Sequence, residues 1–278
     1  MSKTELPQKR SDPSTGGHLK CVSAVRVSRN ALEPRNEWEA REWEVRVGQV
    51  LFRWRSYTLI PLVALLGYLY VVAAFGHRWS IGSWAVGGTS LLLGEALRLS
   101  IAGHARPGTS GRGTTIRAAT LVTDGMYVAT RNPLYLANWL QWLGAATITG
   151  AWWAPPLVAT VVALQYHFII RAEEAFLAHQ FGLAFDRFVG KTPRFLPRPG
   201  FGPFPGRFDF RKALFREHDT IFLVFLGLFI PPAARAFLQE GPPWPWAALG
   251  TLALGAWIVT KTAKKRSKQL PENCRSLS

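Results

Sequence analysis

Long uncharged stretches alternate with short, charge-rich segments along this chain. Residues 57–76 contain no charged side chain in 20 positions, and residues 134–170 contain none in 37. About 20 apolar residues are enough for a helix to cross a bilayer core roughly 30 Å thick, so the second stretch is long enough for two crossings. We expect these crossings to form a helical hairpin that turns near residues 152–156, where two tryptophans precede two prolines.

Three further segments have the composition of membrane spans. Residues 79–97 are mostly apolar, with Glu95 as their one acid and Arg98 three positions later, a spacing that allows an ion pair. Residues 220–234 are short and interrupted by two prolines, whereas residues 242–260 are uncharged and rich in tryptophan. The first of these segments also carries small residues that let membrane helices approach closely: Gly82, Gly87, Gly88 and Gly94. The pattern predicts an all-α fold, a polytopic membrane bundle of about six transmembrane helices.

The charge distribution indicates an orientation for this bundle. The net charge is +16, and six spans would place 31 of the 33 lysines and arginines on one side. This bias is the positive-inside pattern, and it predicts a multi-pass integral membrane protein with both termini in the cytoplasm. The basic surface would then face anionic lipid headgroups. Nucleic acid is not an expected partner, because no nucleic-acid-binding module accompanies the charge.

Changes in composition divide the chain into five parts. We expect a disordered basic tail (1–32), an interfacial amphipathic helix (33–56), a four-span core (57–218), a two-span hairpin (219–262) and a second basic tail (263–278). The tryptophans and valines of the second part recur at helical spacing, which also suits a helix packed on the protein's own cytoplasmic domain. The glycine-rich loop at 100–120 suggests a flexible lid.

A charged group stands where the fourth span ends. Glu173 and Glu174 are adjacent and therefore point about 100° apart on a helix, so one can face the bundle while the other pairs with a base. His167 and Arg171 lie within two turns of Glu174, and we take Arg171, Glu174 and His167 as the candidate catalytic residues. The alternative is that these charges only anchor the helix at the interface. Two cysteines cannot form a zinc site alone, and no metal is expected.

A second polar segment precedes the third span. Gly125 permits a turn that a side chain would block, and Pro133 suits the first turn of a helix. Arg131 offers a planar fork to a carboxylate or phosphate, while Tyr127 and Tyr135 offer aromatic faces to a cation. These residues are equally typical of an interfacial belt of aromatic and basic side chains.

Together the two segments resemble the integral-membrane methyltransferases that include isoprenylcysteine carboxyl methyltransferase and the phospholipid N-methyltransferases. The first motif of that family is represented by Gly125, Tyr127, Arg131, Asn132, Pro133 and Tyr135. The second motif is represented by Glu173, Glu174, Leu177, Phe181, Gly182, Phe185, Phe188, Pro193 and Arg194. Asn132 departs from a usual histidine, Phe185 and Phe188 from common tyrosines, and Ala137 from a frequent glycine.

The resemblance implies an S-adenosylmethionine-dependent enzyme with a cytoplasmic cofactor pocket at the end of the hairpin. A lipid or other lipophilic acceptor, methylated on a carboxylate, amine or thiol, would enter from the membrane. The cofactor-binding residues implied by the match are Gly125, Tyr127, Arg131, Asn132, Pro133, Tyr135, Glu173 and Glu174. Two alternatives remain: an NADPH-dependent membrane reductase of the sterol or enone type, and a non-catalytic membrane binding protein.

Overall fold

The described part of the chain is entirely helical in its regular elements. The computed structural model describes residues 41–75, 80–105, 115–197, 208–238 and 244–269, all within one compact unit. Its α-helices are α1 Glu42–Trp54, α2 Ile60–Phe75, α3 Ile81–His104, α4 Pro133–Ile148, α5 Ala154–Phe181, α6 Leu183–Lys191, α7 Phe210–Leu238 and α8 Trp244–Gln269, with a 3-10 turn at Gly125–Val128. The all-α prediction is confirmed for these ranges. The N-terminal tail at 1–32, both cysteines and residues 106–114 of the glycine-rich loop lie outside them.

The long uncharged stretch forms the expected helical hairpin. Pro133 occupies the first turn of α4, where its missing N–H costs nothing. The turn between α4 and α5 includes Gly150 at φ +71°, a conformation that favours glycine. Helix α5 then continues without interruption past the uncharged stretch to Phe181, so the acidic pair lies on the same helix as the second half of that stretch.

Glycines let α3 approach its neighbours closely. A Cβ added at Gly87 would lie 2.6 Å from the carbonyl oxygen of Gly144, and one at Gly94 would lie 2.7 Å from that of Ala137. Gly88 lies against Leu228 of α7. Gly82 is different, because a Cβ there would have only the hydroxyl of Ser80 within 4 Å. Three of the four glycines in this span therefore serve helix packing, as expected, and Gly82 does not.

Helix α7 contradicts the prediction of a short, broken segment. It begins at Phe210 and continues through Pro231 and Pro232 to Leu238. A proline removes the backbone donor that would reach the carbonyl four residues earlier, which for Pro232 is that of Leu228. The indole Nε1 of Trp84 in α3 donates to this carbonyl at 2.9 Å. A contact from another helix thus replaces a missing hydrogen bond of the α7 backbone.

Two described helices are long and apolar enough to cross a bilayer: Ile81–His104 and Phe210–Phe237. A third apolar helix segment, Ile60–Ala73, is shorter. Helix α4 has 16 residues, which corresponds to about 24 Å at 1.5 Å per residue. The structure thus supports association with a membrane, and the six-span arrangement stays a prediction.

Helix α1 packs along α5. Gly48 provides the closest approach, because a Cβ there would lie 2.0 Å from the carbonyl oxygen of Phe168. The ring of Trp43 lies 5.7 Å from that of Phe168, and Phe52 is buried. Of the two roles considered for this segment, packing on the protein's own domain is therefore observed. Its outer side leaves apolar side chains exposed.

Candidate functional site

A cavity of about 510 Å³ lies among α1, α3, α4, α5, α6 and α7. The segment between α3 and α4 covers part of it, and Phe52, Arg55 and Leu59 close it from the side of α1 and α2. All eight expected cofactor-binding residues line this space: Gly125, Tyr127, Arg131, Asn132, Pro133, Tyr135, Glu173 and Glu174.

Two of the three candidate catalytic residues lie elsewhere. The structure places Arg171 against α1, with its Nε 3.6 Å from Glu44 Oε2. His167 is exposed beside the ring of Phe168, whereas Glu174 is buried. Arg171 and His167 therefore do not share a functional face with Glu174, because the helix turns both of them away from the cavity. Only Glu174 of the three lines it.

The two sequence motifs meet in a contact that we call the clasp, formed by residues 130–132, residues 193–195 and Glu174. The backbone N–H of Arg131 donates to the carbonyl of Pro193 at 2.9 Å. The hydroxyl of Thr130 donates to the carbonyl of Phe195 at 3.0 Å, and Asn132 Nδ2 donates to that of Arg194 at 3.0 Å. These bonds fix the start of α4 against the segment that follows α6.

Glu174 is the charged centre of the clasp. Its carboxylate lies 3.5 Å from Arg131 Nε and accepts from Arg194 Nε at 3.3 Å and Nη2 at 2.5 Å. The Glu174 side chain is only 3% exposed. Removing either the carboxylate or the guanidinium groups would therefore leave the opposite charge buried without this ion pair. Two guanidinium groups around one carboxylate give the clasp a net charge of one positive.

Glu173 faces the cavity and has a different environment. Burial raises the pKa of Glu173 to about 7, while a hydrogen bond from Tyr135 and the charge of Arg55 act in the opposite direction. Burial, with a smaller contribution from Glu173, raises the pKa of Tyr127 to about 12. Glu173 can therefore change its charge near neutral pH, whereas the Tyr127 hydroxyl keeps its proton.

Two glycines with positive φ place side chains at the cavity. Gly125 at φ +60° begins the 3-10 turn that carries Tyr127 to the cavity wall. Gly182 at φ +47° ends α5 and lets α6 fold back, which buries Phe185 and Phe188 beside the cavity. Residues other than glycine rarely adopt either conformation.

A second polar group, the inner cluster, lies deeper along the helices and consists of Glu217, Arg98, Asn138 and Tyr166. Arg98 donates to Glu217 Oε2 at 3.0 Å and 2.6 Å and also to Asn138 Oδ1. Asn138 in turn forms a hydrogen bond with Tyr166. All four side chains line the cavity.

The inner cluster holds Arg98 in a different ion pair from the one that its spacing to Glu95 allows. Arg98 is held across the helix interface by Glu217, whereas Glu95 accepts a hydrogen bond from Gln141 Nε2 at 2.8 Å. The sequence assigned no part of the site to α7, and only a charge next to an apolar segment hinted at a role for Glu217. Asn138 had no signal of its own.

Comparison with known proteins places this site in a family context. A family model described as phospholipid methyltransferase matches residues 82–184. The cobalt-zinc-cadmium resistance protein CzcN of Cupriavidus metallidurans is 32% identical over 178 residues, 64% of this chain and 77% of that protein. The nickel-cobalt-cadmium resistance protein NccN of Alcaligenes xylosoxydans xylosoxydans is 33% identical over 120 residues, 43% of this chain and 47% of that protein. No solved structure matches.

The described ranges contain no group of three histidine, cysteine, aspartate or glutamate side chains placed to hold a metal ion. The family match includes α3 except for its first residue and all of α4 and α5, and with them Arg98, Arg131, Glu173 and Glu174. Helix α7, which supplies Glu217, lies beyond it.

Proposed function

The chain belongs to the phospholipid methyltransferase family, and we propose that it transfers a methyl group from S-adenosylmethionine to a lipid or another hydrophobic acceptor reached from the membrane. The observation that carries this proposal is one cavity wall that combines a net positive clasp with a separate carboxyl group. Such a wall matches the amino-acid end of the cofactor, which has a carboxylate and an ammonium.

The charges on this wall support the assignment of individual residues to parts of the cofactor. We propose that Arg131 binds the cofactor carboxylate and that Glu173 binds its ammonium or ribose hydroxyls. Tyr127 and Tyr135 lie on the same cavity and offer aromatic faces to the sulfonium cation. Glu174 takes a positioning role, because its carboxylate holds Arg131 and Arg194 in place.

When bound, S-adenosylmethionine would supply an electrophilic methyl group for in-line attack by the acceptor, and S-adenosylhomocysteine would leave as the methyl–sulfur bond breaks. The protein's task is then mainly placement, which can contribute several kcal/mol to lowering the barrier. The clasp and Glu173 would hold one reactant, while the apolar side chains of Phe52, Leu59 and Ile101 would hold the hydrophobic part of the other.

We further propose a multi-pass topology of six spans with both termini in the cytoplasm, and α1 lying at the membrane surface. The outward side of α1 carries two stripes. Exposed apolar residues form one stripe, and exposed polar residues form the other, whose centre is rotated by roughly 100° around the helix. The apolar members are Trp43, Val47, Val50 and Trp54, and the polar members are Glu42, Arg46, Gln49 and Arg53. This division suits a helix between lipid and water.

A labelled-methyl assay tests the function. Purified protein in detergent would be incubated with methyl-labelled S-adenosylmethionine and extracted membrane lipids, and the products separated by mass spectrometry. We expect label in a lipid or lipophilic molecule. Incorporation of label should fall strongly in Glu173→Gln and should not change in Glu42→Gln, which alters an exposed glutamate outside the cavity. Absence of label in every extractable molecule would refute the lipid acceptor.

The two alternative functions give different results in binding assays. A membrane reductase would bind NADPH in place of S-adenosylhomocysteine, and it would need contacts for the additional phosphate of that nucleotide. A non-catalytic binding protein would bind S-adenosylhomocysteine without transferring label. Either result would contradict methyl transfer and favour the corresponding alternative function.

The names of the two relatives suggest a physiological role. CzcN and NccN are named for resistance to cobalt, zinc, cadmium and nickel, and we propose that methylation of a membrane component contributes to metal tolerance. Cells without this protein should tolerate less cobalt, zinc and cadmium. Wild-type protein should restore growth, and the Glu173→Gln variant should not. Equal rescue by both would separate tolerance from methyl transfer.

A further inference from the structure

The side-chain amide of Gln165 has an unused hydrogen-bond donor at the cavity. Gln165 lines the cavity and is only 8% exposed. Its Oε1 accepts a hydrogen bond from the Thr58 hydroxyl at 3.0 Å, but its Nε2 has no hydrogen-bond partner among the described residues. Leaving a buried donor unpaired is unfavourable, and a bound molecule can remove this cost by supplying an acceptor atom.

Gln165 lies away from the charged residues of the proposed cofactor site. It precedes Glu173 by eight positions on α5, which is about 12 Å along the helix. On α4, Asn138 of the inner cluster likewise follows Asn132 of the clasp by six positions, about 9 Å. The cavity therefore has two polar ends, and the cofactor proposal uses only one of them.

The surroundings of Gln165 restrict the chemistry of its ligand. Tyr166 beside it belongs to the inner cluster, and its ring lies 4.9 Å from that of Tyr135. The charge of Arg98 in that cluster is matched by Glu217, so the cluster has no net charge to offer an anion. Apolar side chains from Phe52 and Leu59 line the same cavity. This end suits an uncharged polar group attached to a hydrophobic chain.

We propose that Gln165 Nε2 donates a hydrogen bond to an uncharged oxygen of the methyl acceptor, such as an ester, carbonyl or hydroxyl oxygen of a lipid. This contact fixes how deeply the acceptor enters the cavity and so helps to align its reacting atom with the methyl group. The inference rests on the proposed methyltransferase function and names the acceptor class for that same site. Gln165 is a specificity-determining residue in this account, and its partner Thr58 orients the amide.

The test compares Gln165→Met with Gln180→Leu in the full-length protein. Methionine keeps the length of the side chain but removes the donor. Gln180, on the same helix, is exposed and donates to the Ala118 carbonyl at 2.6 Å, so its variant is the matched control. With labelled S-adenosylmethionine and extracted membrane lipids, we expect the KM for lipid to rise about tenfold in Gln165→Met, the effect of one neutral hydrogen bond. The affinity for S-adenosylhomocysteine should not change in either variant.

Two more measurements distinguish recognition from a structural role. Without lipid, Gln165→Met should unfold at the same temperature as the wild type or a higher one, because the unpaired donor has been removed. Thr58→Val should raise the KM by a smaller factor, since it frees the amide to rotate. An unchanged KM in Gln165→Met, with transfer by the wild type intact, overturns this inference alone. Wild-type protein that neither binds S-adenosylhomocysteine nor transfers label overturns the function as well.

Discussion

The clasp and the inner cluster are both charged groups at one cavity, yet they are assembled in different ways. The clasp joins residues that flank the α4–α5 hairpin, and Glu174 lies 20 positions from Arg194. The inner cluster joins α3, α4 and α7, and Arg98 lies 119 positions from Glu217. The clasp therefore depends on the hairpin and α6, whereas the inner cluster depends on how a distant helix packs.

This difference separates two tasks within the site. The clasp has a net positive charge and adjoins Glu173, whose charge changes near neutral pH, so it suits a zwitterionic ligand. The inner cluster has no net charge and lies deeper along the helices than the clasp does, so it suits an uncharged group. We infer that one end recognises the methyl donor and the other end recognises the acceptor.

Of the substitutions that compare the clasp with the inner cluster, removing the charge of Glu174 should have the largest effect on the free energy of unfolding. Glu174→Gln leaves Arg131 buried without its carboxylate, and loss of one member of a buried ion pair costs about 3–5 kcal/mol. Chemical unfolding in detergent should show this loss in the free energy of unfolding. Glu42→Gln, which breaks the exposed pair with Arg46, should change it by less than about 1 kcal/mol. Equal small effects in both variants would contradict the structural importance of the clasp.

The corresponding change in the inner cluster is Glu217→Gln. We expect a smaller loss of about 2–3 kcal/mol, because the Arg98 side chain is more exposed than that of Arg131 and keeps its bond to Asn138. Unfolding measurements would give this value. Affinity for S-adenosylhomocysteine should stay within about twofold of the wild type, because we propose that this ligand binds at the clasp. A large loss of affinity would mean that the two ends do not act separately.

The pH dependence of binding should come from Glu173. Only the ionised carboxylate attracts an ammonium, so affinity for S-adenosylhomocysteine should rise about tenfold from pH 6 to pH 8 as Glu173 ionises at its pKa of about 7. In the absence of ligand, the contribution of Glu173 to the stability of the fold changes with pH in the opposite direction. The raised pKa stabilises the fold below about pH 4.5, and this contribution disappears as the pH rises through about 7. Calorimetry at several pH values checks the first trend, and Glu173→Gln should remove it.

Asn132→Ala should have the smallest effect of the set. Its side chain makes one neutral hydrogen bond, to the Arg194 carbonyl, so we expect a loss of about 1 kcal/mol in the free energy of unfolding. Asn138→Ala is the matching change in the inner cluster and should also lower the stability. If Asn132→Ala instead abolished methyl transfer without affecting stability, Asn132 would contact the reactants directly.

The comparison also shows how far the sequence could predict this protein. The length of the uncharged stretch was enough to predict the hairpin, and the hairpin brings Arg131 to the acidic pair, 3.5 Å from Glu174. Glu173 and Glu174 could be proposed as site residues for the same reason. Their division of roles could not be predicted, because it depends on Arg194, which follows one further helix, α6.

What the sequence could not supply are contacts that depend on packing between distant helices. The sequence favoured a catalytic role for Arg171 because it gave no sign of the pairing with Glu44, which requires α1 to lie along α5. The two prolines of α7 predicted a break, because the sequence does not show that Trp84 of α3 replaces the lost hydrogen bond. Gln165 carried no motif, and its importance follows only from burial without a partner for Nε2.

Calorimetric titration with S-adenosylhomocysteine of the wild type, Glu173→Gln and Glu217→Gln tests the central claim most directly. We predict micromolar binding by the wild type, at least about tenfold weaker binding by Glu173→Gln, and nearly unchanged binding by Glu217→Gln. The tenfold loss corresponds to about 1.4 kcal/mol of binding free energy. Absence of binding by the wild type, or an equal loss in the two variants, would contradict a methyl-donor site at the clasp end of the cavity.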